Sequence, residues 1–402
     1  MNVSLLSLDF LLFSVVAVAL VSTTRGAARQ AFFLALNAGF VWYLLGTSGL
    51  ISTVAFCLLG YALIKANIRF EKATPLYTVP PFVVLFVYMQ NYEMIRWIVP
   101  NDVLTNMLRT IGLSFLLFKI IHVLIDAKSK TLHGLTLFGY LNYCLNFTTF
   151  MMGPIQRFQD YHDQWHQKKQ AIELTFEAHL DAVLRILFGL TKVYILAVAF
   201  SRLALQPDTD VVHLSLAGWV VRLYGFFFYL YMNFSGYCDV VIGIGSLMGV
   251  RPPENFNLPF MAQNISDFWQ RQHRSLTLWL TDYVFSPTYK SALSSNLLSS
   301  RPVVSGNLAL MLTMLVSGLW HGTTIGFLFF GLAHGIFLVI YHSWDHFLAG
   351  RLGRRRANNL RKHWLARGVG IFLTFNAASF AFLFFQLDTP HLMSLFDAVL
   401  GR

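Results

Sequence analysis

Apolar runs that approach the length of a membrane span recur along the whole chain of 402 residues, with short polar loops between them. A transmembrane helix needs roughly 20 predominantly apolar residues. The runs lie at 10–21, 31–45, 50–64, 77–89, 104–125, 135–152, 183–205, 212–248 (long enough for two helices), 308–320, 325–341 and 368–385. They predict about eleven membrane helices, and the shorter runs are candidates for broken or re-entrant segments.

Charge is too scarce for a soluble chain of this size. Hydrophobic residues make up 56% of the sequence and charged residues 12%, against roughly 25% charged in ordinary soluble domains. The composition predicts an all-α, polytopic integral membrane protein with one domain over residues 1–402. Cys57, Cys144 and Cys238 lie singly in apolar stretches, which argues against a disulfide scaffold and against a thiolate metal site.

Clusters of Lys and Arg predict which loops face the cytoplasm, because cytoplasmic loops of membrane proteins are enriched in these residues. The strongest cluster is the segment 351–367, interpreted as a basic cytoplasmic loop; weaker ones are Arg25 with Arg29, Lys65 with Arg69 and Lys72, and Lys128 with Lys130. Asp102, Asp208 and Asp210 predict outward-facing loops. Alternation of the spans then requires that one early run does not cross fully, and run 135–152 is the foremost candidate.

This orientation gives the polar segments their sides. The turn Trp320-His321-Gly322 opens outward and the polar stretch 251–306 is cytoplasmic. The net charge of +11 is attributed to a cytoplasmic rim facing anionic membrane lipid, and no nucleic-acid partner is expected.

His321 is the leading candidate for chemistry because it stands between Trp320 and Gly322 at the junction of two apolar runs. Ionisable groups at membrane depth are costly and usually functional. Neutral imidazole can accept a proton from a hydroxyl near pH 7. Position alone leaves two readings open, a buried structural histidine and a catalytic base. His334, in the middle of the next run, has a weaker claim.

A second candidate region mixes aromatic and basic residues between Pro253 and Leu276. It contains Trp269, Arg271, His273 and Arg274, and it is too polar to span a membrane alone. It is either an interfacial amphipathic helix or a cytoplasmic vestibule whose arginine pair holds a phosphate.

Three further motifs have simpler interpretations. His162 with His166, and His342 with His346, have the i, i+4 spacing of zinc ligands but show no obvious third ligand, so surface histidines are favoured and no metal site is expected. The glycine-rich stretch 243–249 lacks dinucleotide-binding spacing and predicts helix packing through Gly245 and Gly249.

Four ordered sequence blocks together resemble the membrane-bound O-acyltransferase (MBOAT) family. They are Gly153-Pro154-Ile155-Gln156-Arg157, Tyr231-Met232-Asn233-Phe234-Ser235-Gly236-Tyr237, the stretch Glu254–Leu280 with Phe-Trp-x-Arg-x-His-x-Ser-Leu, and Gly318-Leu319-Trp320-His321-Gly322. The resemblance covers an MBOAT-like core of about 135–341. Within the family, the chain is similar to the bacterial branch that contains the alginate O-acetylases and the D-alanyl exporters of teichoic acid. Two positions depart from the pattern of that branch: Gln272 stands where it usually has Trp, and Cys238 where it often has Ser.

The resemblance implies where the site lies. His321 would be the catalytic histidine and His273 a second catalytic candidate that lines the reaction channel. Arg271 and Arg274 would hold the phosphate of the donor. Trp269, Asn255 and Trp320 complete the candidate donor and substrate site.

The resemblance also implies a function: transfer of a short acyl group, acetyl foremost, from a cytoplasmic thioester to a hydroxyl of an extracytoplasmic polysaccharide or other cell-envelope acceptor. No bound cofactor is expected, and the donor would be acetyl-CoA or an acyl carrier protein. The expected partners are membrane lipid, the polysaccharide acceptor or a secreted SGNH-type acyltransferase, and a cytoplasmic acyl carrier protein. The protein would be a multi-pass component of the inner (cytoplasmic) membrane. D-alanyl transfer to teichoic-acid-like acceptors, a non-catalytic transporter or flippase, and a structural scaffold are the alternatives.

Overall fold

The computed structural model describes residues 6–70, 74–90, 113–128, 132–166, 175–204, 215–387 and 389–400, and these residues form helices joined by turns. Five helices are long and apolar enough to cross a membrane: Gly26–Arg69, Phe176–Ala204, Pro302–His321, Ile325–Leu352 and Trp364–Gln386. Leu8–Thr23 and Pro75–Val87 are shorter apolar helices. The predicted class, an all-α polytopic membrane protein, is confirmed.

The described residues divide into two compact units. The first contains 6–70, 74–90, 113–128, 132–166, 175–194 and 233–254, and the second contains 195–204, 215–232, 255–387 and 389–400. Two long helices, Phe176–Ala204 and Leu216–Leu247, contribute residues to both units.

Among its described residues, the first unit begins with seven helices in chain order. They are α1 (Leu8–Thr23), α2 (Gly26–Arg69), α3 (Pro75–Gln90), α4 (Leu113–Asp126), α5 (Leu137–Leu145), α6 (Phe147–Phe150) and α7 (Phe158–His166). Parts of α8 (Phe176–Ala204) and α9 (Leu216–Leu247) complete it.

The break between α5 and α6 is stabilised by a buried asparagine on another helix. The backbone N–H of Phe147 donates to Oδ1 of Asn37 over 3.0 Å, and the Asn37 amide donates to Asn142 over 3.4 Å. Interrupting a helix in an apolar interior leaves backbone N–H and C=O groups without partners, which is costly. The Asn37 side chain offsets part of this cost by accepting one of these hydrogen bonds. The nine residues of α5 extend about 14 Å at 1.5 Å per residue, which is too short to span. This agrees with the prediction that run 135–152 does not cross fully.

The second unit continues from the ends of α8 and α9 through α10 (Ile265–Arg271), α11 (Arg274–Leu280), α12 (Ser286–Ser294), α13 (Pro302–His321), α14 (Ile325–Leu352), α15 (Arg354–Lys362), α16 (Trp364–Gln386) and α17 (Thr389–Leu400). The basic segment 351–367 therefore contains a helix, α15.

Helices α13 and α14 pack with their backbones in close contact. A Cβ atom built on Gly318 would lie 2.3 Å from the carbonyl oxygen of Phe327, and one on Gly331 would lie 2.5 Å from that of Met314. Only glycine tolerates such an approach, and small residues at helix interfaces are a common way for membrane helices to pack. The contact fixes the end of α13, where His321 stands.

The structure shows how three of the apolar runs form helices. Run 212–248, which is long enough for two helices, forms within the described residues the single helix α9 of 32 residues. Runs 31–45 and 50–64 form the two helical segments of α2, which meet at a kink at Gly46, where φ is 69°.

The glycine stretch 243–249 packs differently from the prediction. Gly243 contacts α8, with a built Cβ 2.8 Å from the carbonyl oxygen of Ala182, whereas Gly245 faces the returning chain at Val250 and Pro252. Gly249 has a φ of 73° and ends the helix. Asp102, Asp208, Asp210 and the first part of run 104–125 lie outside the described residues.

Candidate active site

His273 occupies a strained position between two short helices. Helix α10 ends at Arg271, α11 begins at Arg274, and His273 has φ 47° and ψ 51°, in the left-handed region. A non-glycine residue there costs of order 1–3 kcal/mol and persists only where its surroundings hold it. Its side chain is buried, with 3% exposed. The surroundings must therefore fix both the backbone and the ring.

Asn255 supplies much of that support from the preceding segment. Its carbonyl oxygen accepts from the backbone N–H of Arg274 over 2.9 Å. Its side-chain Oδ1 accepts from both the backbone N–H of Ser275, over 3.1 Å, and the Ser275 hydroxyl, over 2.8 Å. Two residues on, the N–H of Asn257 donates to the carbonyl of Arg271 over 2.9 Å. The segment around Asn255 thus clamps the chain on both sides of His273.

His321 ends helix α13, and the turn after it is packed by an aromatic ring. A Cβ atom on Gly322 would lie 2.0 Å from the ring of Phe327, so glycine lets that ring cover the turn. The imidazole of His321 lies 5.4 Å from the ring of Phe330 and 5.3 Å from that of Phe385, centroid to centroid. Its side chain is only half-buried. An imidazole with an apolar wall and partial exposure can meet a polar acceptor.

The structure brings the two predicted histidines together. The ring centroids of His273 and His321 are 6.3 Å apart, and Trp320 lies 5.8 Å from His273. The residues are separated by 48 positions in the sequence, and α11–α13 lie between them in the chain. One small region therefore contains His273, His321 and Trp320.

His334 lies deeper in the same unit and was given only a weak claim by the sequence. It is fully buried, and neither ring nitrogen has a hydrogen-bond partner among the described residues. Its ring lies 4.7 Å from Phe330 and 4.9 Å from Trp269. Phe330 thus contacts both His321 and His334. A buried unpaired imidazole is expensive, and no periodicity in the sequence indicates where its nitrogens point.

The remaining predicted donor-site residues have distinct surroundings. Nε of Arg271 donates to Asp267 over 2.7 Å, and its Nη1 donates to the carbonyl of Asn257 over 3.3 Å. Arg274 is half-buried at the first position of α11. Trp269 is 4% exposed and packs beside His334. The arginines thus lie at the two ends of the His273 break, and their role toward a donor stays a prediction.

An ion-pair network in the first unit was missed by the sequence reasoning. Arg185 donates through Nη1 and Nη2 to the two oxygens of Glu254, over 2.6 and 2.5 Å. Its Nε donates to Asp239, over 3.0 Å, and Lys192 donates to the same carboxylate, over 2.6 Å. Hydrogen bonds from Arg185 lower the pKa of Glu254 to about 2. Glu254 directly precedes Asn255 in the chain.

The two histidine pairs also acquire neighbours. Nε2 of His133 lies 3.0 Å from the Asp163 carboxylate, and Nδ1 of His162 lies 3.4 Å from the same oxygen. The nitrogen and oxygen atoms of these three residues lie within 4.8 Å of one another. His133 comes from before α5, so the spacing of His162 and His166 could not reveal it. His133 is exposed and Asp163 is partly exposed. His342 uses Nδ1 to bond Asn307 over 2.7 Å.

The helical architecture and the Trp-His-Gly turn agree with a comparison of the chain with the profiles of known protein families. Residues 38–383 match the profile of MBOAT, the membrane-bound O-acyltransferase family. The chain belongs to this family. It is therefore an acyltransferase, rather than a transporter, a flippase or a scaffold, and a multi-pass membrane protein.

Individual relatives fall into different transferase groups. The chain is 30% identical over 292 residues to a teichoic acid D-alanyltransferase of Streptococcus thermophilus, covering 70% of this chain and 69% of that protein. It is 34% identical over 245 residues to a probable alginate O-acetylase of Pseudomonas fluorescens, covering 59% of this chain and 46% of the relative. A peptidoglycan O-acetyltransferase of Helicobacter pylori is 33% identical over 171 residues, covering 42% of this chain and 29% of that protein.

Proposed function

We propose that the protein transfers a short acyl group, acetyl foremost, from a cytoplasmic thioester to a hydroxyl of an extracytoplasmic cell-envelope polysaccharide. The observation that carries the proposal is the pairing of half-buried His321 with buried His273, 6.3 Å apart, at the end of α13. An accessible imidazole beside a sheltered one gives a base that an acceptor can reach and a second group that faces the donor. The alginate and peptidoglycan O-acetylases among the relatives support the acetyl group.

In the proposed reaction, His321 moves one proton from the acceptor to the leaving group. His321 accepts the proton of the acceptor hydroxyl while the oxygen attacks the thioester carbonyl carbon. The carbon–sulfur bond then breaks, the thiolate leaves, and the imidazolium returns the proton to it. General-base assistance of this kind contributes typically about 10²- to 10⁴-fold. The transfer exchanges a thioester for an oxygen ester and needs no further source of energy.

The aromatic wall around His321 serves the same reaction. Phe330 and Phe385 lie within 5.4 Å of its ring, centroid to centroid. An apolar wall excludes water from the imidazole, which disfavours hydrolysis of the thioester. The acceptor hydroxyl then competes with few water molecules for the activated carbonyl.

The donor side is assigned to the break between α10 and α11. His273 would shape the channel, and Arg271 and Arg274 would hold the donor phosphate, with Asn255, Trp269 and Trp320 around them. Arg271 shares its charge with Asp267 at 2.7 Å. Arg274 is therefore the stronger candidate for the phosphate. The donor is acetyl-CoA or a cytoplasmic acyl carrier protein, and no resident cofactor is proposed.

D-alanyl transfer to a teichoic-acid-like acceptor is the second candidate. It is favoured by one observation: the match to the teichoic acid D-alanyltransferase extends over 70% of this chain, whereas the alginate match extends over 59%. The same base and the same thioester chemistry would serve both groups. The proposed partners are membrane lipid, the polysaccharide acceptor or a secreted SGNH-type acyltransferase, and a carrier protein, and the proposed location is the inner membrane.

The test is acyl transfer by purified protein reconstituted in vesicles. Radiolabelled acetyl-CoA and D-alanyl carrier protein are supplied separately, and label in a polysaccharide or teichoic-acid acceptor is counted. We expect one donor to support transfer and His321→Ala to abolish it. His166→Ala is the matched control, because it removes an exposed imidazole in the other unit. Transfer by His321→Ala at the wild-type level would overturn the role of His321, and no transfer from either donor would overturn the proposed reaction.

A further inference from the structure

A cavity of about 400 Å³ lies in the second unit between the C-terminal part of α14 and helix α15. Helix α14 contributes His342, Asp345 and His346 to its lining, and α15 contributes Arg354 and Arg361. Along α14, His346 is 21 residues from Ile325, which is about 32 Å at 1.5 Å per residue. The cavity is therefore far from His321 and belongs to the other end of the α13–α14 hairpin.

An ion pair and a buried alanine hold the two walls together. Arg361 forms a salt bridge with Asp345, and its Nη1 donates to Asn358 over 3.1 Å. Ala357, in the middle of α15, is completely buried. These contacts dock α15 on its neighbours, so the groups that face the cavity are presented from fixed backbones. A fixed backbone lowers the entropy cost of binding a ligand.

The charges of the lining do not cancel. Asp345 is its one carboxylate among the described residues, and Arg361 already neutralises it. Within the part of the chain that the structure describes, Arg354 and His346 form no hydrogen bond or ion pair. His342 commits Nδ1 to Asn307 and keeps Nε2 available. Arg355 and Arg356 follow on the same helix, and they increase the positive potential. The cavity therefore favours an anion.

The groups also indicate which anion. A guanidinium offers two parallel N–H donors that match the oxygens of a phosphate, and imidazole nitrogens add single contacts. The volume falls within the range of small-ligand sites, about 300–1,000 Å³. Basic pockets on the cytoplasmic side of membrane proteins bind phosphate headgroups, and the segment 351–367 is predicted to be cytoplasmic.

We propose that this cavity binds a phosphate-bearing ligand, with Arg354 as the principal contact and His342 and His346 beside it. The phosphate could come from either of two ligands: the headgroup of an acidic phospholipid, or the nucleotide part of coenzyme A. The second source rests on the proposed function, since it makes the cavity an outer docking point for the donor. The lipid source is independent of the reaction.

The test compares two arginines that differ only in whether they face the cavity. Arg354→Gln removes the proposed contact, and Arg355→Gln makes the same charge change next to it without lining the cavity. Gly350→Met is the second test variant: Gly350 lines the cavity, and no atom lies within 4 Å of a Cβ built there. The side chain of methionine would therefore fill the space without altering charge.

Two probes separate the sources. Coenzyme A binding is measured calorimetrically in nanodiscs of phosphatidylcholine, and phosphatidylglycerol retention is counted by native mass spectrometry after purification from mixed lipid. We expect Arg354→Gln and Gly350→Met to weaken the binding of coenzyme A or of phosphatidylglycerol by roughly 10-fold, as for loss of a charge-assisted contact. Arg355→Gln should bind both probes about as well as wild type. A coenzyme A effect identifies the donor, and a phosphatidylglycerol effect identifies the lipid.

Two results would overturn the proposal. One is that Arg354→Gln and Arg355→Gln weaken probe binding equally, which would mean that the probe is attracted by the general positive charge of α15 and not held in the cavity. The other is that the wild-type protein binds neither probe. Acyl transfer is measured on the same preparations. Arg354-dependent binding without any acyl transfer would refute the proposed function alone, and transfer without Arg354-dependent binding would refute the cavity alone.

Discussion

The imidazole rings of His273 and His321 lie 6.3 Å apart and are inclined by 63°. His273 is 3% exposed, whereas His321 is half-buried. We propose that this difference in access divides their roles, with the more accessible ring of His321 meeting the acceptor and the sheltered ring of His273 shaping the path of the donor.

Glutamine substitutions separate these roles. Glutamine keeps a donor and an acceptor but cannot carry a proton at neutral pH. We expect His321→Gln to lower kcat by roughly 10²- to 10⁴-fold and His273→Gln by roughly 10-fold. Acyl incorporation at saturating donor gives both values, with His166→Gln as the control. Equal and near-complete loss in both variants would show that the two histidines act as one unit.

The left-handed backbone of His273 predicts an inverted order of stability between two small residues. An alanine variant is normally more stable than a glycine variant at the same helical position. At φ 47°, however, glycine avoids a Cβ clash that costs about 1 kcal/mol. His273→Gly should therefore unfold at higher denaturant concentration than His273→Ala, although both lack the imidazole. Urea unfolding in detergent measures the difference. His321→Gly and His321→Ala provide the comparison at a helical position, where alanine should be the more stable; the same order at both positions would contradict the strain at His273.

Glu254 should make stability depend on acid pH. Its pKa is lowered from 4.5 to about 2, chiefly by hydrogen bonds from Arg185. A lowered pKa in the folded state contributes stability above the unfolded value, and that contribution is lost as pH falls from about 4.5 towards 2. Melting temperatures across this range should fall less steeply in Glu254→Gln than in wild type. Glu177→Gln, which removes an exposed carboxylate from the same unit, should retain the wild-type slope; identical slopes for all three proteins would refute the pairing.

Single cysteines should report opposite sides of the membrane. We predict that Thr323→Cys, in the turn after His321, is labelled by an impermeant maleimide in intact cells. Asn359→Cys on α15 should be labelled only after lysis. Asn359 is exposed, whereas Ala357 is completely buried and would be a poor labelling site. The native cysteines are buried, so they should give little background. The reverse pattern would invert the proposed direction of transfer.

Local sequence determines some of these features and not others. Long apolar runs predict helices because burial of their backbone in lipid demands internal hydrogen bonds, and the Trp-His-Gly turn places His321 at a helix end. The break at His273 is different. It depends on Asn255, 18 positions earlier, and hydrogen bonds between distant segments leave no periodicity in the sequence.

The same limit explains the other omissions. Arg185 and Glu254 are 69 residues apart, and His133 reaches Asp163 across 30 residues. Each residue alone is an ordinary polar side chain near an apolar run. The single helix α9 was equally hidden, because a run of 37 apolar-rich positions (212–248) is long enough for one helix or for two.

The close approach of Gly318 and Gly331 has an evolutionary consequence. Main-chain atoms set the spacing of α13 and α14 there, so the end of α13 that carries His321 is positioned by backbone contact. Under the proposed function, residues that face the acceptor could therefore change while the backbone that carries the proposed base stays in place. Substitutions at the rim would then admit new acceptors to the same scaffold, so that its substrates could diversify while its chemistry stays the same.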